Sequence, residues 1–323
     1  MIEVKNLTKR YGSHLAVDDL SFTVEKGQIY GFLGPNGAGK STTMNIMTGY
    51  LGATKGTVLI NGHDILREPQ EARKCIGYLP EQPPLYMEMT VSEYLKFAAE
   101  LKKIPKSERE TQIDKVMRMA RLWDVTDRLV QNLSKGYRQR VGLAQAILGF
   151  PEIIILDEPT VGLDPKQIIE IRELIRKLAK EHTVILSSHI LAEVREVCDH
   201  ILIIANGKLA ACDTPENLEK RMGGTGHIEI EAKGTMDEVR KVLGKLRQVK
   251  KAEYHTSGSG VTAVQIKADG GEDIREQIFL AFAQEKMPLL TLKENKSSLE
   301  EIFLELTQGG TRGLKRIKEV SEE

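Results

Sequence analysis

A glycine-rich segment near the amino terminus carries the residue types that hold phosphate groups. It consists of Gly34, Pro35, Asn36, Gly37, Ala38, Gly39, Lys40, Ser41 and, one position on, Thr42. Glycines let backbone N–H groups turn towards a phosphate, while Lys40 can reach the β- and γ-phosphates of a nucleotide and Ser41 can ligate Mg²⁺. The same residues could form an ordinary turn. The strand pattern at 28–33 and the helix pattern at 42–47 favour a nucleotide site, because such a loop lies between a strand and a helix N-terminus.

A pair of acids ends a buried strand pattern farther along the chain. Ile153–Leu156 are four consecutive apolar residues, and Asp157 and Glu158 follow them directly. A carboxylate at the end of a parallel strand beside a phosphate loop can hold Mg²⁺, so Asp157 is a candidate metal residue. Glu158 would point to the other side of the strand end, where it can act as general base on water. Taken alone, an acidic pair after an apolar run is more commonly a pair of solvated acids at a strand end. The presence of the phosphate loop is what makes a functional role for Asp157 and Glu158 the better explanation.

The segment between these two motifs reads Leu133-Ser134-Lys135-Gly136-Tyr137 and is followed by Gln139 and Arg140. It resembles the signature sequence of the ATP-binding cassette (ABC) ATPases, whose usual form is Leu-Ser-Gly-Gly-Gln. A serine hydroxyl and glycine N–H groups at the start of a helix can bind an anion, although in isolation they would indicate no more than a helix cap. The resemblance implies that Ser134 and Gly136 close on the γ-phosphate bound to a second subunit.

Three further positions match this family in the same sequence order. Tyr11 resembles the aromatic residue that stacks on adenine in this family. Residues 161–164 resemble the loop through which two subunits communicate, and His189 resembles the switch histidine that contacts the γ-phosphate. Out of context, Tyr11 would be an ordinary tyrosine and His189 a satisfied polar residue at a strand end. The resemblance covers nearly all of residues 1–222.

Two features depart from the family pattern. Lys135 replaces the first glycine of the signature and Tyr137 replaces its glutamine. Where the family usually has a glutamine after an apolar-Pro pair, this chain has Glu81 in the expected register and Gln82 one position later. Either side chain could supply the contact to Mg²⁺ and water, and we favour Glu81.

Composition limits the other classes of function. The 323 residues suit one large domain and a small one. Lys plus Arg and Asp plus Glu both number 46, so no excess of basic charge indicates a nucleic-acid partner, and none is expected. The widely spaced Cys75, Cys198 and Cys212 predict free thiols. No signal peptide begins the sequence and no apolar run approaches the roughly 20 residues of a membrane span, which predicts a cytoplasmic protein.

Hydrophobic patterns divide the chain into three sections. For residues 1–222 the resemblance implies an α/β P-loop ABC ATPase domain, within which the patterns predict an N-terminal antiparallel β layer, a helical subdomain at about 83–150 and a mixed or parallel core sheet. Helical spacing in the subdomain is present at 93–103, 112–121 and 139–148. A glycine-rich hinge at 223–226 begins a small α+β, ferredoxin-like domain at 223–308, with the order βαββαβα. Residues 309–323 form a charged tail.

Together these features predict the ATPase subunit of an ABC transporter, lying on the inner face of the cell membrane through separate permease subunits. The resemblance implies that two such subunits, favoured to be identical, sandwich ATP and Mg²⁺ between them. Residues 83–94 correspond to the segment that receives the permease's coupling helix in this family. The run from Ser298 to Leu304 resembles the end of an accessory module in bacterial exporter ATPases.

Two other classes of protein are possible. A non-transport ABC ATPase that acts on the ribosome or on DNA usually has two cassettes or a long coiled-coil insert, and this sequence has one cassette and no heptad run. Co-purification with a permease, as opposed to ribosomes or DNA, would separate these classes. A P-loop GTPase or kinase would leave the signature unexplained, and the guanine-reading Asn-Lys-x-Asp motif is absent. Competition between ATP and GTP would test that alternative.

Overall fold

The described part of the chain falls into two units. The computed structural model describes residues 1–222, 227–256, 260–268, 273–295 and 299–308. One unit consists of Met1–Thr214 with the described residues from Leu306 onwards, and the other of Pro215–Glu305. The predicted hinge at 223–226 and the predicted tail at 309–323 lie outside the described residues.

The first unit contains ten strands and seven helices up to Thr214 in the described chain. Its strands are β1 (Ile2–Tyr11), β2 (His14–Val24), β3 (Ile29–Leu33), β4 (Lys55–Ile60), β5 (His63–Asp64), β6 (Ile76–Leu79), β7 (Ile153–Leu156), β8 (Thr183–Ser188), β9 (His200–Ala205) and β10 (Lys208–Asp213). Its helices are α1 (Lys40–Met47), α2 (Pro69–Lys74), α3 (Val91–Leu101), α4 (Lys106–Met119), α5 (Lys135–Ile147), α6 (Pro165–Leu178) and α7 (Leu191–Val197).

Two sheets build this unit, as predicted. The antiparallel layer has the order β2-β1-β4-β5, and the turn Asn61-Gly62, with positive φ at both residues, closes the hairpin between β4 and β5. The core sheet has the order β10-β9-β3-β8-β7-β6, parallel from β9 to β6, with β10 antiparallel at one edge. One buried cluster joins both sheets to the apolar side of α1, including Met44 and Met47.

The parallel strands bring the chemical motifs to one edge. The phosphate loop follows β3, the Asp157-Glu158 pair follows β7, and His189 follows β8. Strand β8 lies between β3 and β7. Because parallel strands end at the same edge of a sheet, their following loops meet there, and residues far apart in sequence become neighbours.

The three helices of the predicted helical subdomain all begin earlier than the apolar spacing indicated. We expected starts at residues 93, 112 and 139, and observe them at Val91, Lys106 and Lys135. The first turns contain polar residues outside the apolar stripe, and side-chain caps mark where α3 and α5 begin, whereas α4 has no side-chain cap. Thr90 forms a capping box with Glu93, and Ser134 caps α5.

The remaining elements are α8 (Pro215–Met222), β11 (His227–Lys233), α9 (Met236–Leu243), β12 (Val249–Thr256), β13 (Val261–Ala268), α10 (Arg275–Gln284), β14 (Leu289–Asn295) and α11 (Leu299–Gln308). From β11 to α11 this is the predicted order βαββαβα. The sheet is antiparallel, with the order β12-β13-β11-β14, which is ferredoxin-like. Residues of α9 and α10, including Val239 and Phe282, pack on one face of it in a separate core.

Two simpler expectations also have an outcome in the structure. Cys75, Cys198 and Cys212 are free cysteines, as predicted. Among the helices that the structure describes, none combines the length and the apolar character that crossing a bilayer requires.

Candidate functional site

The phosphate loop has the backbone shape that its glycines predict. Gly37 and Gly39 have φ values of 78° and 104°, which residues with a Cβ rarely adopt. A Cβ at Gly39 would also lie 2.5 Å from the carbonyl oxygen of Ala16. No side chain caps the N-terminus of α1 at Gly39. The first amides of the helix are therefore free to meet an anion.

Lys40 lies folded back over this loop. Its ammonium donates to the carbonyl oxygens of Gly34 (2.5 Å) and Pro35 (3.1 Å). Burial lowers the pKa of Lys40, while the nearby carboxylates of Glu158 and Asp157 act in the opposite direction. The structure thus brings Lys40 into the same electrostatic environment as both acids of the second motif.

Ser187, the penultimate residue of β8, ties these two acids together. Its hydroxyl donates to Oδ1 of Asp157 (2.5 Å) and accepts from the backbone N–H of Glu158 (2.9 Å). Glu158 has a positive φ of 48°, an uncommon conformation for a residue with a side chain. The sequence motifs did not identify Ser187, although the pair Ser187 and Ser188 directly precedes His189 at the end of the strand.

Asp157 is almost completely buried, with 6% of its surface exposed. Burial raises its pKa, the Ser187 hydroxyl lowers it, and the Glu81 carboxylate raises it further. The backbone N–H of Asp157 donates to the carbonyl oxygen of Leu79 (2.8 Å). This bond fixes the chain two residues before Glu81. Gln82 is exposed beside Glu81. Of the two metal candidates, Glu81 acts electrostatically on Asp157.

His189 lies directly against the candidate general base. Its Nδ1 is 2.8 Å from Oε2 of Glu158, while more than half of the imidazole remains exposed. The ring can therefore orient the Glu158 carboxylate and still meet a ligand. The structure brings together His189, Glu158, Asp157 and Lys40 at one sheet edge.

Tyr11 ends β1 with 47% of its surface exposed. The Lys9 ammonium lies 5.2 Å from the centroid of its ring. A ring with this exposure can present a face to an adenine base, and the stacking role of Tyr11 stays a prediction. Ser41 is exposed and Thr42 half-buried in the first turn of α1.

The signature residues lie at the N-terminus of α5. The Ser134 hydroxyl accepts from the backbone N–H of Tyr137 (3.3 Å), and a Cβ at Gly136 would lie 2.4 Å from Oε1 of Gln167. The Tyr137 hydroxyl donates to Asp124, so the residue that replaces the family's glutamine is held within its own chain. Lys135 lies against Gly162, where a Cβ would be 2.2 Å from the lysine Nζ.

Within the described residues, no hydrogen bond joins Ser134 or Gly136 to Lys40, Asp157, Glu158 or His189. The candidate phosphate loop therefore follows β3 at the sheet edge, whereas the candidate signature segment lies at the start of α5. The described residues also contain no cluster of three or more His, Cys, Asp or Glu that could hold a metal unaided. A cation at Asp157 would need additional oxygens from hydroxyls, water or a phosphate.

Comparison with known proteins gives matches along nearly the whole chain. A family model described as "ABC transporter" matches residues 17–161. The bacitracin transport ATP-binding protein BcrA of Bacillus licheniformis is 36% identical over 97% of this chain and 99% of its own length. The linearmycin resistance ATP-binding protein LnrL of Bacillus subtilis is 30% identical over 95% of this chain and 98% of its own.

A solved structure shares the fold of about two thirds of the chain. It is the dimeric, post-hydrolysis state of the ATP-binding cassette MJ0796 bound to ADP and phosphate. The TM-score is 0.61 at 27% identity, and the match covers 66% of this chain and 98% of that one.

Proposed function

This chain belongs to the ABC transporter ATP-binding proteins and is an ATPase, and from that premise we propose that it drives export through separate permease subunits. Relatives that match it end to end are named for bacitracin transport and linearmycin resistance. Those names support an exporter whose cargo is a small-molecule antibiotic or a similar compound. We assign the choice of cargo to the permease.

We propose that the phosphate loop, Gly34 to Thr42, holds the triphosphate and that Tyr11 stacks on the adenine. The free amides at the start of α1 and the buried Lys40 ammonium suit the β- and γ-phosphates. Binding a phosphate would exchange the two loop carbonyls that Lys40 now contacts for stronger, charge-assisted hydrogen bonds.

The residues around Asp157 fit a magnesium ion that arrives with the nucleotide. The negative charge of the Glu81 carboxylate contributes to the raised pKa of Asp157, and a cation would offset this repulsion. Oxygen donors are available from Asp157, Ser41 and Glu81, with Gln82 beside them. When bound, Mg²⁺ would neutralise charge that develops on the phosphates. We propose Asp157 and Ser41 as its principal protein contacts and Glu81 as the contact to its water shell.

The hydrogen-bonded pair Glu158 and His189 is the observation that carries the catalytic proposal. A carboxylate at this strand end can take a proton from the attacking water, and the His189 ring holds it in place at 2.8 Å. The exposed part of the imidazole is free to contact the γ-phosphate. Ser134 and Gly136 of a second chain would then cover that phosphate from the opposite side.

The replacement Glu158→Gln tests this assignment. Because a positioned general base contributes about 10²- to 10⁴-fold, we expect steady-state ATP turnover by the purified protein to fall by that factor. Nucleotide affinity should be retained, since Lys40 and the loop amides are unchanged. A matched control is Glu152→Gln, which alters an exposed acid paired with Lys26. Parental turnover in Glu158→Gln would contradict the proposal.

We propose that the permease docks on an aromatic groove in the helical section. The groove has a volume of about 490 Å³ and is lined by Pro84, Leu85, Tyr86, Tyr94, Phe97, Ala98, Leu101, Lys102 and Gln145. It includes part of the segment 83–94. Docking there would place the chain on the inner face of the membrane, with no span of its own among the described helices.

A further inference from the structure

A buried carboxylate outside the proposed machinery lies directly behind the catalytic loops. Glu193, in the first turn of α7, has 5% of its surface exposed. Its Oε2 accepts from the hydroxyls of Thr160 (2.5 Å) and Ser188 (3.5 Å). Its Oε1 lies 3.7 Å from a guanidinium nitrogen of Arg172, on α6. One acid therefore joins the loop after β7, the end of β8 and two helices.

The partners of Glu193 are next to the residues that the proposed chemistry uses. Thr160 lies two positions after Glu158, and Ser188 immediately precedes His189. The loop after β7 and the loop after β8 are thus joined twice. On the exposed side they are joined by the Glu158–His189 hydrogen bond, and on the buried side by the bonds of Thr160 and Ser188 to Glu193. If the contacts of Glu193 were lost, the two loops could separate, and the hydrogen bond between Glu158 and His189 would lose its geometry.

The cost of this arrangement indicates a role beyond packing. A carboxylate taken out of water costs several kcal/mol unless it is paired and hydrogen-bonded, and Arg172, its charged partner, also pairs with Glu196. The loop itself is strained, because Glu158 has a φ of 48°. Such a conformation persists only when its surroundings hold it, and the Thr160 bond anchors the chain two residues beyond it.

We propose that Glu193 is a positioning residue for ATP hydrolysis. Through Thr160 and Ser188 it fixes the spacing between the Glu158 loop and the His189 loop, and so keeps the Glu158 carboxylate aimed at the attacking water. This inference rests on the proposed roles of Glu158 and His189. Glu193 itself, being buried on the far side, contacts neither substrate nor metal.

Two replacements of Thr160 test the proposal directly. Thr160→Val keeps the shape of the side chain and removes the hydroxyl donor, whereas Thr160→Ser keeps the donor and removes the methyl group. A small misplacement of a catalytic group can cost on the order of 10²-fold in rate, so we expect Thr160→Val to lower kcat by about tenfold or more with the KM for ATP unchanged. Thr160→Ser should retain a kcat close to the parental value.

Variants of Glu193 give an independent measurement. Glu193→Ala should lower kcat like Thr160→Val. Glu196→Ala, one turn further along α7 at an exposed position that also contacts Arg172, is the matched control and should leave kcat unchanged. In a Glu158→Gln background, Glu193→Ala should add little further loss, because residues that act as a unit are not additive. Thermal unfolding of each variant shows whether it is folded at the assay temperature.

The outcomes separate this inference from the proposed function. Parental kcat in Thr160→Val, equal losses in Thr160→Val and Thr160→Ser, or a raised KM with unchanged kcat would each overturn the positioning role of Glu193. If Glu158→Gln loses turnover while Thr160→Val keeps it, the general base stands and only the positioning role fails. If Glu158→Gln keeps parental turnover, the proposed general-base role of Glu158 is wrong, and the positioning role that rests on it fails with it.

Discussion

At the scale of single residues, the site stores unfavourable electrostatics that a nucleotide complex would relieve. Lys40 is buried against loop carbonyls, and its pKa is lowered by burial. Asp157 is buried with Glu81 nearby, and its pKa is raised. A triphosphate beside Lys40 and a cation beside Asp157 would each favour the charged form of the side chain. The ligand-free protein therefore carries a cost in stability at residues that we propose bind the nucleotide and its cation.

Replacing Asp157 with Asn tests this cost. A carboxyl whose pKa is raised by folding binds its proton more tightly in the folded state, so the free energy of unfolding falls as pH rises above the ordinary value of 3.8. At pH 7 the nucleotide-free Asp157→Asn variant should unfold at a higher temperature than the parent, and the difference should narrow as the pH is lowered towards 4. Its magnesium-dependent turnover should be lost.

The exposed Asp127 provides the control for that measurement. Asp127→Asn removes the same charge from a surface position and should leave both the unfolding temperature and turnover unchanged. A lower unfolding temperature for Asp157→Asn at pH 7 would show that the carboxylate stabilises the ligand-free protein, contrary to its environment in the structure.

At the scale of elements, polar side chains that do not belong to α5 itself stabilise both of its ends. Ser134 caps its N-terminus. At the other end, the Lys102 ammonium donates to the carbonyl oxygens of Gln145 (2.7 Å), Ala146 (3.2 Å) and Leu148 (2.5 Å). Lys102 directly follows α3 and also lines the aromatic groove. The signature helix is thereby joined to the surface proposed for the permease.

The variant Lys102→Met tests this connection between helices. Three carbonyls at the end of α5 would lose a charged donor, and a hydrogen bond to a charged group contributes about 1.5–3 kcal/mol. We expect a decrease in the free energy of unfolding of about that size, measured by urea denaturation. Lys103→Met, at the exposed neighbouring position, should have little effect. Equal stabilities for the two variants would contradict the role of Lys102.

Elements whose signals are local in sequence could be predicted. The strand before the phosphate loop, the helix after it and the four apolar residues before Asp157 all appear where their patterns indicated. The starts of α3, α4 and α5 could not be placed by apolar spacing, because their first turns include polar residues outside the apolar stripe. A search for capping residues would have found Thr90 and Ser134.

The contacts that organise the site could not be predicted from local sequence. Ser187 bonds to Asp157 across 30 residues, and Thr160 bonds to Glu193 across 33. Neither pair has a characteristic spacing, because the contacts exist only once β7 and β8 pair in register. Sequence motifs identified the candidate ligand-contacting groups, whereas the side chains that hold them in place were visible only in the fold.

At the scale of the whole molecule, the proposed catalytic site requires a second copy of the chain. The phosphate loop, the acids and His189 share one sheet edge, whereas Ser134 and Gly136 lie at the start of α5. The related cassette MJ0796 is dimeric in its post-hydrolysis state. We therefore expect each site to combine Glu158 of one chain with Ser134 of its partner.

Mixing two inactive variants measures whether each catalytic site is shared between two chains. Glu158→Gln and Ser134→Ala should each be nearly inactive in ATP turnover. When they are mixed before ATP is added, a mixed dimer contains one site with both defects and one site with neither. Turnover should recover to roughly a quarter of the parental value, because about half of randomly formed two-fold dimers are mixed. A mixture no more active than the two variants measured separately would show that the site is not shared between chains.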